Sequence, residues 1–153
     1  MTHLQVKAQY EAPIERVFAL LTDFARYPEW NVTYTEVKEI VGPPNEVGTR
    51  IHSVMRFLGQ TMEGWGEIVE IDPPKLLRTS GTSTQGGKLE YVLRLTPIPN
   101  GTEVVAETDY ELPAGIFGKV ADKLFVERAV ERDLRHSIDN FKAFVELPQP
   151  VLV

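Results

Sequence analysis

Turn clusters divide the middle of the chain into a series of predicted strands. Five clusters rich in glycine, proline or asparagine interrupt residues 32–112, and the segments between them are apolar or alternate apolar with polar residues. Alternation with a period of two is typical of strands that bury one face. The six predicted strands lie near residues 33–41, 49–58, 61–71, 75–82, 88–96 and 102–112. Because short turns join successive strands, the pattern predicts an antiparallel meander.

A further strand and two short helices are predicted before this meander. Apolar residues alternate with polar ones over residues 4–10, and Pro13 then ends the strand and can occupy the first turn of a helix. The apolar spacing from Val17 to Leu21 predicts that first helix. We expect Asp23 to cap a second short helix, which ends near Pro28 because proline disfavours helix for the preceding residue.

One long helix is predicted at the end of the chain, over residues 115–147. A stripe at helical spacing supports it, formed by Leu134, Ile138, Phe141 and Val145. A helix of about 30 residues spans roughly 45 Å, enough to cross a whole sheet. Strands followed by a helix predict an α+β arrangement. A strongly curved sheet cannot touch a straight helix along its full length, so we expect a cavity between them.

Two hairpin registers follow from the turn residues. Asn100-Gly101 favours a type I′ turn and Gly59-Gln60 a type II′ turn. The first turn predicts the pairs Leu95–Ala106, Leu93–Thr108, Tyr91–Tyr110 and Arg94–Glu107. The second predicts inner-face pairs Phe57–Met62, Met55–Gly64, Ser53–Gly66 and Ile51–Ile68, and outer-face pairs Arg56–Glu63 and His52–Glu67. This register puts Trp65 on the outer face, unless a bulge turns it inward.

Composition and charge argue against several classes of function. The net charge is −6 and no run of lysine or arginine stands out, which disfavours nucleic acid and anionic membranes as partners. The chain has no cysteine, and no apolar run is long enough to span a bilayer. We expect a cytoplasmic protein, monomeric or homodimeric, without integral membrane association.

No catalytic or metal-binding set can be assembled from the sequence. The three histidines, His3, His52 and His136, lie far apart and lack the spacing of metal ligands. Gly86-Gly87 lacks the residues that follow a phosphate-binding loop, and residues 81–84 do not form a nucleophile elbow. We therefore assign no catalytic residue and expect neither a cofactor nor a metal.

Three segments resemble the START/Bet v 1-like (SRPBCC) superfamily, which includes the polyketide cyclase/dehydrase and lipid-transport proteins. They are residues 12–23 followed by Tyr27-Pro28-Glu29-Trp30, the turn at residues 71–76, and the single long terminal helix. The resemblance implies a helix-grip fold, in which a curved antiparallel seven-stranded sheet surrounds a long C-terminal helix and two short helices follow strand 1. It covers essentially the whole chain, read as one domain over residues 1–147 and a tail at 148–153.

Candidate ligand-binding residues come from the inner faces of the predicted elements. An apolar wall is predicted from Met55, Phe57, Met62, Leu93, Phe117 and Leu124. Polar groups that could fix a ligand are Tyr91, Thr108, Tyr110, Arg78 and Arg128. The alternative for the apolar residues and the tyrosines is that they fill the core, and for the arginines that they lie in solvent.

Three functions remain open at this point. The first is binding or carriage of a small hydrophobic molecule, such as a lipid, polyketide or aromatic compound, driven by burial of apolar ligand surface. The second is a polyketide cyclase or aromatase-like activity, with Tyr91, Tyr110 or Arg78 in acid–base roles. The third is a chaperone-associated interaction module. The lack of an evident acid–base pair on the inner face favours the first over the second.

Overall fold

The computed structural model describes residues 1–115 and 122–147. Its elements are β1 (Thr2–Tyr10), α1 (Ile14–Leu21), a 3₁₀ helix (Phe24–Glu29), β2 (Tyr34–Val41), β3 (Arg50–Phe57), β4 (Gln60–Asp72), β5 (Leu76–Ser83), β6 (Lys88–Ile98), β7 (Gly101–Glu111) and α2 (Lys123–Glu146). The strands form one antiparallel sheet in the order β1-β7-β6-β5-β4-β3-β2. The predicted helix-grip fold, a seven-stranded curved sheet with a long C-terminal helix, is confirmed.

The second short helix differs from the prediction in how it begins. It is a 3₁₀ helix, and the Asp23 side chain makes no capping hydrogen bond to it. The backbone N–H of Asp23 instead donates to the Leu20 carbonyl and closes the last turn of α1. The backbone of Asp23, at φ −82° and ψ 77°, makes the bend between the two helices. The predicted capping role of Asp23 is therefore wrong, although the helix ends close to the expected place, at Glu29.

Helix α2 begins later than residue 115, the predicted start of the terminal helix. Asp122 has an extended backbone, at φ −95° and ψ 102°, so a continuous helix cannot pass through it. Its carboxylate accepts hydrogen bonds from the N–H groups of Leu124, at 2.9 Å, and Phe125, at 3.2 Å. This is an N-cap, which satisfies donors that the first turn leaves free. The 24 residues of α2 span about 36 Å.

The β6–β7 hairpin keeps the predicted faces but has a different register. Ile98 pairs with Gly101, so the turn residues are Pro99 and Asn100. Proline cannot adopt the positive φ of a type I′ turn. The observed pairs are Leu95–Val104, Leu93–Ala106, Tyr91–Thr108 and Leu89–Tyr110. Because side chains alternate with a period of two, a shift of two residues leaves the same side chains facing inward and the same ones facing outward. Arg94 and Glu107 still form an ion pair, at 3.3 Å, along a diagonal.

The β3–β4 hairpin is also shifted by two residues relative to the prediction. Its turn residues are Leu58, at φ 49°, and Gly59, at φ 76°. The observed inner-face pairs are Phe57–Gln60, Met55–Met62, Ser53–Gly64 and Ile51–Gly66. The outer-face pairs are Arg56–Thr61, Val54–Glu63, His52–Trp65 and Arg50–Glu67. Trp65 lies on the outer face, where its ring stacks on the His52 ring with 4.7 Å between their centroids. The Arg50 guanidinium carbon lies 4.3 Å from the Trp65 ring centroid, which is a cation–π contact.

Helix α2 packs against the sheet through two separate groups of buried side chains. Near its C-terminal end, Phe141 and Val145 join the main core, in which Phe141 contacts Tyr10 edge-on at 5.1 Å. Near its N-terminal end, a smaller cluster contains Phe57, Met62, Val126 and Ala129. The middle of α2 belongs to neither contact, and the sheet curves away from it there. This arrangement leaves space between the helix and the strands.

Candidate ligand-binding cavity

A cavity of about 270 Å³ lies between the concave face of the sheet and the middle of α2. It is partly open to solvent and its wall is mostly apolar. The helix contributes a continuous stripe at helical spacing, formed by Val130, Asp133, Leu134, Ser137, Ile138 and Phe141. The volume lies just below the range of about 300–1,000 Å³ that is typical of small-molecule pockets. The space predicted from a curved sheet and a straight helix is therefore present.

Seven of the predicted ligand-binding residues line this cavity. They are Met55, Phe57, Met62, Tyr91, Leu93, Thr108 and Tyr110. All seven have the inward parity of their strands, which is why a register error of two residues left the prediction of their face intact. Phe57, Met62, Leu93 and Tyr110 are buried, whereas Met55, Tyr91 and Thr108 are half-buried at the cavity surface.

Three other predicted residues lie elsewhere. Arg78 is on the outer face of β5, between the inward-facing Leu77 and Thr79, and its guanidinium pairs with Glu70 at 3.0 Å. Leu124, in the first turn of α2, is 53% exposed. Arg128 is exposed on α2.

These three placements correct the predicted wall. The cost of burying an unpaired charge explains the position of the two arginines. Leu124 lies outside the wall because α2 begins at Lys123 and its apolar stripe reaches the cavity only from Val130 onward. The remaining predicted residue, Phe117, falls outside the described residues.

Three tyrosine side chains gather at one end of the cavity. The Tyr27 hydroxyl donates to the Leu21 carbonyl at 2.6 Å and lies 3.3 Å from the Tyr91 hydroxyl. The Tyr34 ring meets the Tyr27 ring edge-on, with 5.3 Å between their centroids. All three residues line the cavity. The 3₁₀ helix, β2 and β6 each supply one member, so the cluster exists only when the sheet has closed around these elements.

Burial keeps these phenols in their neutral form. Loss of hydration raises the pKa of Tyr27 and of Tyr34, and the nearby Tyr91 raises both further. Burial also raises the pKa of Tyr91, although hydrogen bonds with Thr79 and Tyr27 oppose that rise. Removal of a charged form from water is costly, so a buried phenol retains its proton. At neutral pH the cluster offers hydroxyl groups and no phenolate.

A set of polar contacts fixes α2 to the segment after the 3₁₀ helix. The Ser137 hydroxyl accepts a hydrogen bond from the Val32 N–H at 3.0 Å and donates to the Asp133 carbonyl at 2.9 Å. The Asn140 amide donates to the Trp30 carbonyl at 3.1 Å. The Trp30 ring packs edge-on against Phe141 at 4.9 Å. These contacts hold the wall of the cavity beside the tyrosines.

The charged groups on the wall are either exposed or held in ion pairs, as Glu63 is with Lys38. Among the lining residues that the structure describes, the ionisable acids and bases other than tyrosine are Glu63, Lys88, Glu111 and Asp133. Lys88 is exposed and has the outward parity of Glu90 and Arg94 on β6. Asp133 pairs with Arg132 at 3.1 Å. Within residues 1–115 and 122–147 no group of histidine and carboxylate side chains could hold a metal ion.

Several cavity residues were absent from the sequence prediction, and the most important are Tyr27 and Tyr34. Tyr27 was interpreted only as part of the end of the second short helix and of the motif that resembles the superfamily. Tyr34 lies on β2, whose pairing with β3 is interrupted by irregularities between Tyr34 and Glu36 and between Val37 and Glu39. Such bulges break the period of two, so alternation could not predict which side chains of β2 face the cavity. The apolar character of Tyr34, Val37 and Ile40 was the remaining signal.

The comparisons with known proteins agree with this architecture. A family model described as polyketide cyclase / dehydrase and lipid transport matches residues 1–146. The chain belongs to this family. The predicted superfamily is thereby confirmed, while a comparison with curated proteins returns no match. Among the described residues, no helix is both long and apolar enough to cross a membrane.

Solved structures similar to this member of the family share its fold. The Zhui aromatase/cyclase from Streptomyces sp. R1128 has a TM-score of 0.78 at 17% identity, with 95% of this chain and 93% of that chain covered. Ara h 8.0201 has a TM-score of 0.67 at 14% identity, with 94% of this chain and 97% of that chain covered. TTHA0849 from Thermus thermophilus has a TM-score of 0.66 at 26% identity, with 94% of this chain and 99% of that chain covered.

Proposed function

We propose that this protein binds or carries a small apolar molecule in the cavity between the sheet and α2. The observation that supports this most directly is the open, mostly apolar space of about 270 Å³ between the two packed ends of the helix. Transfer of apolar ligand surface from water into such a space is favourable by roughly 25 cal/mol per Å². The membership in a family of cyclases and lipid-transport proteins agrees with a ligand of this kind.

The test uses a neutral fluorescent probe and a matched pair of bulky variants. N-phenyl-1-naphthylamine fluoresces in apolar surroundings and carries no charge at neutral pH. Met55→Trp places a large ring at the cavity wall, whereas Val54→Trp places the same ring on the outer face of the same strand. We expect saturable probe binding by the wild type and by Val54→Trp, and much weaker binding by Met55→Trp.

Native mass spectrometry provides an independent measurement. Applied to freshly purified protein and followed by solvent extraction, it would show whether a stoichiometric apolar compound is retained. Two outcomes of the probe titration would count against the proposal. Absence of saturable probe binding in the folded wild type would reject the proposed function. Equal binding by the Met55 and Val54 variants would place the probe outside the cavity and would also count against it.

A cyclase or aromatase-like activity is the second candidate, and the phenol cluster is the observation that favours it. Neutral phenols can donate a hydrogen bond to a carbonyl oxygen as it gains charge, which is one form of electrostatic catalysis. Their raised pKa values argue against a role as general bases at neutral pH. Turnover of a poly-β-ketone by the wild type, lost in Tyr91→Phe, would establish this second function over simple binding.

A further inference from the structure

The direction of one hydrogen bond decides which tyrosines are free to act on a ligand. The Tyr27 hydroxyl has one proton, and the Leu21 carbonyl, 2.6 Å away, can only accept it. In its contact with Tyr91, at 3.3 Å, Tyr27 must therefore be the acceptor and Tyr91 the donor. This distance is long for a hydrogen bond between hydroxyls, which is usually about 2.7–2.8 Å. Tyr91 also has a hydrogen bond with Thr79, whose hydroxyl can donate as well as accept, so that contact does not require the Tyr91 proton. The Tyr91 proton can therefore turn to a better acceptor.

Tyr34 supplies a second donor at the same end of the cavity. Its hydroxyl has no hydrogen-bond partner among the described residues, yet the side chain lines the cavity. A phenol that leaves water usually finds a partner, because an unpaired polar group costs free energy. Two hydroxyl groups, those of Tyr34 and Tyr91, therefore lie at the cavity without a short hydrogen bond that commits their protons to a described residue.

The charges around the cavity exclude one common kind of acceptor. Among the described lining residues, Lys88 is the one cation, and it lies exposed with its side chain on the outward parity of β6. A ligand carboxylate or phosphate beside the phenols would be buried without a counter-charge, which is strongly unfavourable. An uncharged acceptor such as a carbonyl oxygen carries a far smaller desolvation cost. The acceptor that fits is neutral.

We propose that the ligand is an uncharged apolar molecule that presents a carbonyl oxygen to the hydroxyl groups of Tyr34 and Tyr91. This inference rests on the proposed binding function and specifies the class of ligand. It separates neutral ketones and enones, which satisfy both phenols, from free fatty acids and other anions, which do not. Pure hydrocarbons of the same shape bind through the apolar wall alone.

Three probes of nearly equal shape test the inference by isothermal titration calorimetry. They are 2-acetylnaphthalene, 2-isopropenylnaphthalene, in which a methylene group replaces the carbonyl oxygen, and 2-naphthoate, which is charged at neutral pH. One or two neutral hydrogen bonds of about 0.5–1.5 kcal/mol each predict that the ketone binds roughly 2- to 150-fold more tightly than the alkene. The carboxylate should bind more weakly than either.

Matched variants assign the effect to the hydroxyl groups. Tyr34→Phe removes a hydroxyl without a partner, so the fold should be unaffected, and ketone affinity should fall about 2- to 10-fold while alkene affinity stays the same. Tyr91→Phe should act in the same direction. Tyr10→Phe is the comparison variant: Tyr10 also lines the cavity, but its hydroxyl lies near the carboxylates of Asp139 and Glu146, so its removal should leave the advantage of the ketone unchanged. The infrared carbonyl band of the bound ketone should lie at lower frequency in the wild type than in Tyr34→Phe.

The outcomes separate this inference from the binding function itself. If N-phenyl-1-naphthylamine binds but the ketone has no advantage over the alkene, or Tyr34→Phe leaves that advantage intact, the inference is wrong and the binding function stands. Binding of naphthoate as tightly as the ketone would also overturn it. If neither the neutral amine nor any naphthalene probe binds, the proposed function and the inference fall together.

Discussion

Two glycines of β4, Gly64 and Gly66, have the inward parity of the strand, and a side chain at each should have opposite effects. A Cβ atom built on Gly66 meets nothing within 4 Å, whereas one built on Gly64 would lie 2.5 Å from the Thr82 carbonyl oxygen of β5. Neither glycine has a positive φ, so backbone strain does not enter the comparison. The difference between the two sites is therefore a difference in available space.

The expected magnitudes follow from that space. Gly66→Ala should stabilise the protein by about 0.4–1 kcal/mol, because alanine restricts the unfolded chain and meets no obstacle in the folded one. Gly64→Ala must displace the β5 backbone and should cost about 1–3 kcal/mol. The larger Gly66→Leu places about four heavy atoms in the cavity. At about 0.3 kcal/mol per displaced ligand atom, binding should weaken by about 1.2 kcal/mol, roughly eightfold.

Urea unfolding and probe titration measure these two consequences separately. The wild type, Gly64→Ala and Gly66→Ala are compared for their free energy of unfolding, and Gly66→Leu is titrated with N-phenyl-1-naphthylamine. A Gly66→Ala protein as unstable as Gly64→Ala would refute the assignment of free space beside Gly66. A folded Gly66→Leu protein with wild-type affinity for the probe would show that Gly66 does not border the binding site.

Three further predictions concern the scaffold. Burial raises the pKa of all five tyrosines, most strongly that of Tyr10, Tyr27 and Tyr34, so the stabilisation from their neutral forms is complete below about pH 10 and is lost as the pH rises further. In an ultraviolet titration the phenolate absorbance of these three should appear only with unfolding, and ionisation of all five tyrosines near pH 10 in the folded protein would contradict this. Arg16 donates to the carbonyls of Val145 and Leu147, so Arg16→Met should cost about 1 kcal/mol and speed hydrogen exchange at the end of α2, and unchanged exchange would contradict this. A Cβ on Gly101 would overlap the Tyr10 carbonyl oxygen, so Gly101→Ala should lower the melting temperature, whereas Gly66→Ala, which meets nothing within 4 Å and has no positive φ, should not.

The fold could be predicted in outline because strand and helix patterns survive small errors. Both hairpin registers were wrong by two residues, and both kept every inward residue inward. A shift of one residue would have exchanged the faces. The turns were misplaced because proline and leucine occupy turn positions that the glycine signals do not reveal, at Pro99 and Leu58. Gly101 is required by its close approach to Tyr10 and not by a positive φ.

The candidate site was predictable where it lies on regular strands and not elsewhere. The wall residues of β3, β4, β6 and β7 followed from alternation, whereas Tyr34 lies beside a bulge on β2 and Tyr27 lies on a 3₁₀ helix. The inward or outward position of Arg78 was not decided until the strand had neighbours: Leu77 and Thr79 are buried on either side of it. Long-range proximity, such as that of Tyr27 to Tyr91, has no signal in local periodicity.

Because side chains alternate along each strand, the two faces of the sheet can change independently of each other. Odd and even positions of β6, such as Tyr91 and Arg94, contact different surroundings, one the interior space and the other the solvent. A substitution on the concave side can alter which guest is accepted without changing what the convex side presents to other molecules. A chain built this way can exchange its guest over evolutionary time while the outer surface, and whatever recognises it, stays constant.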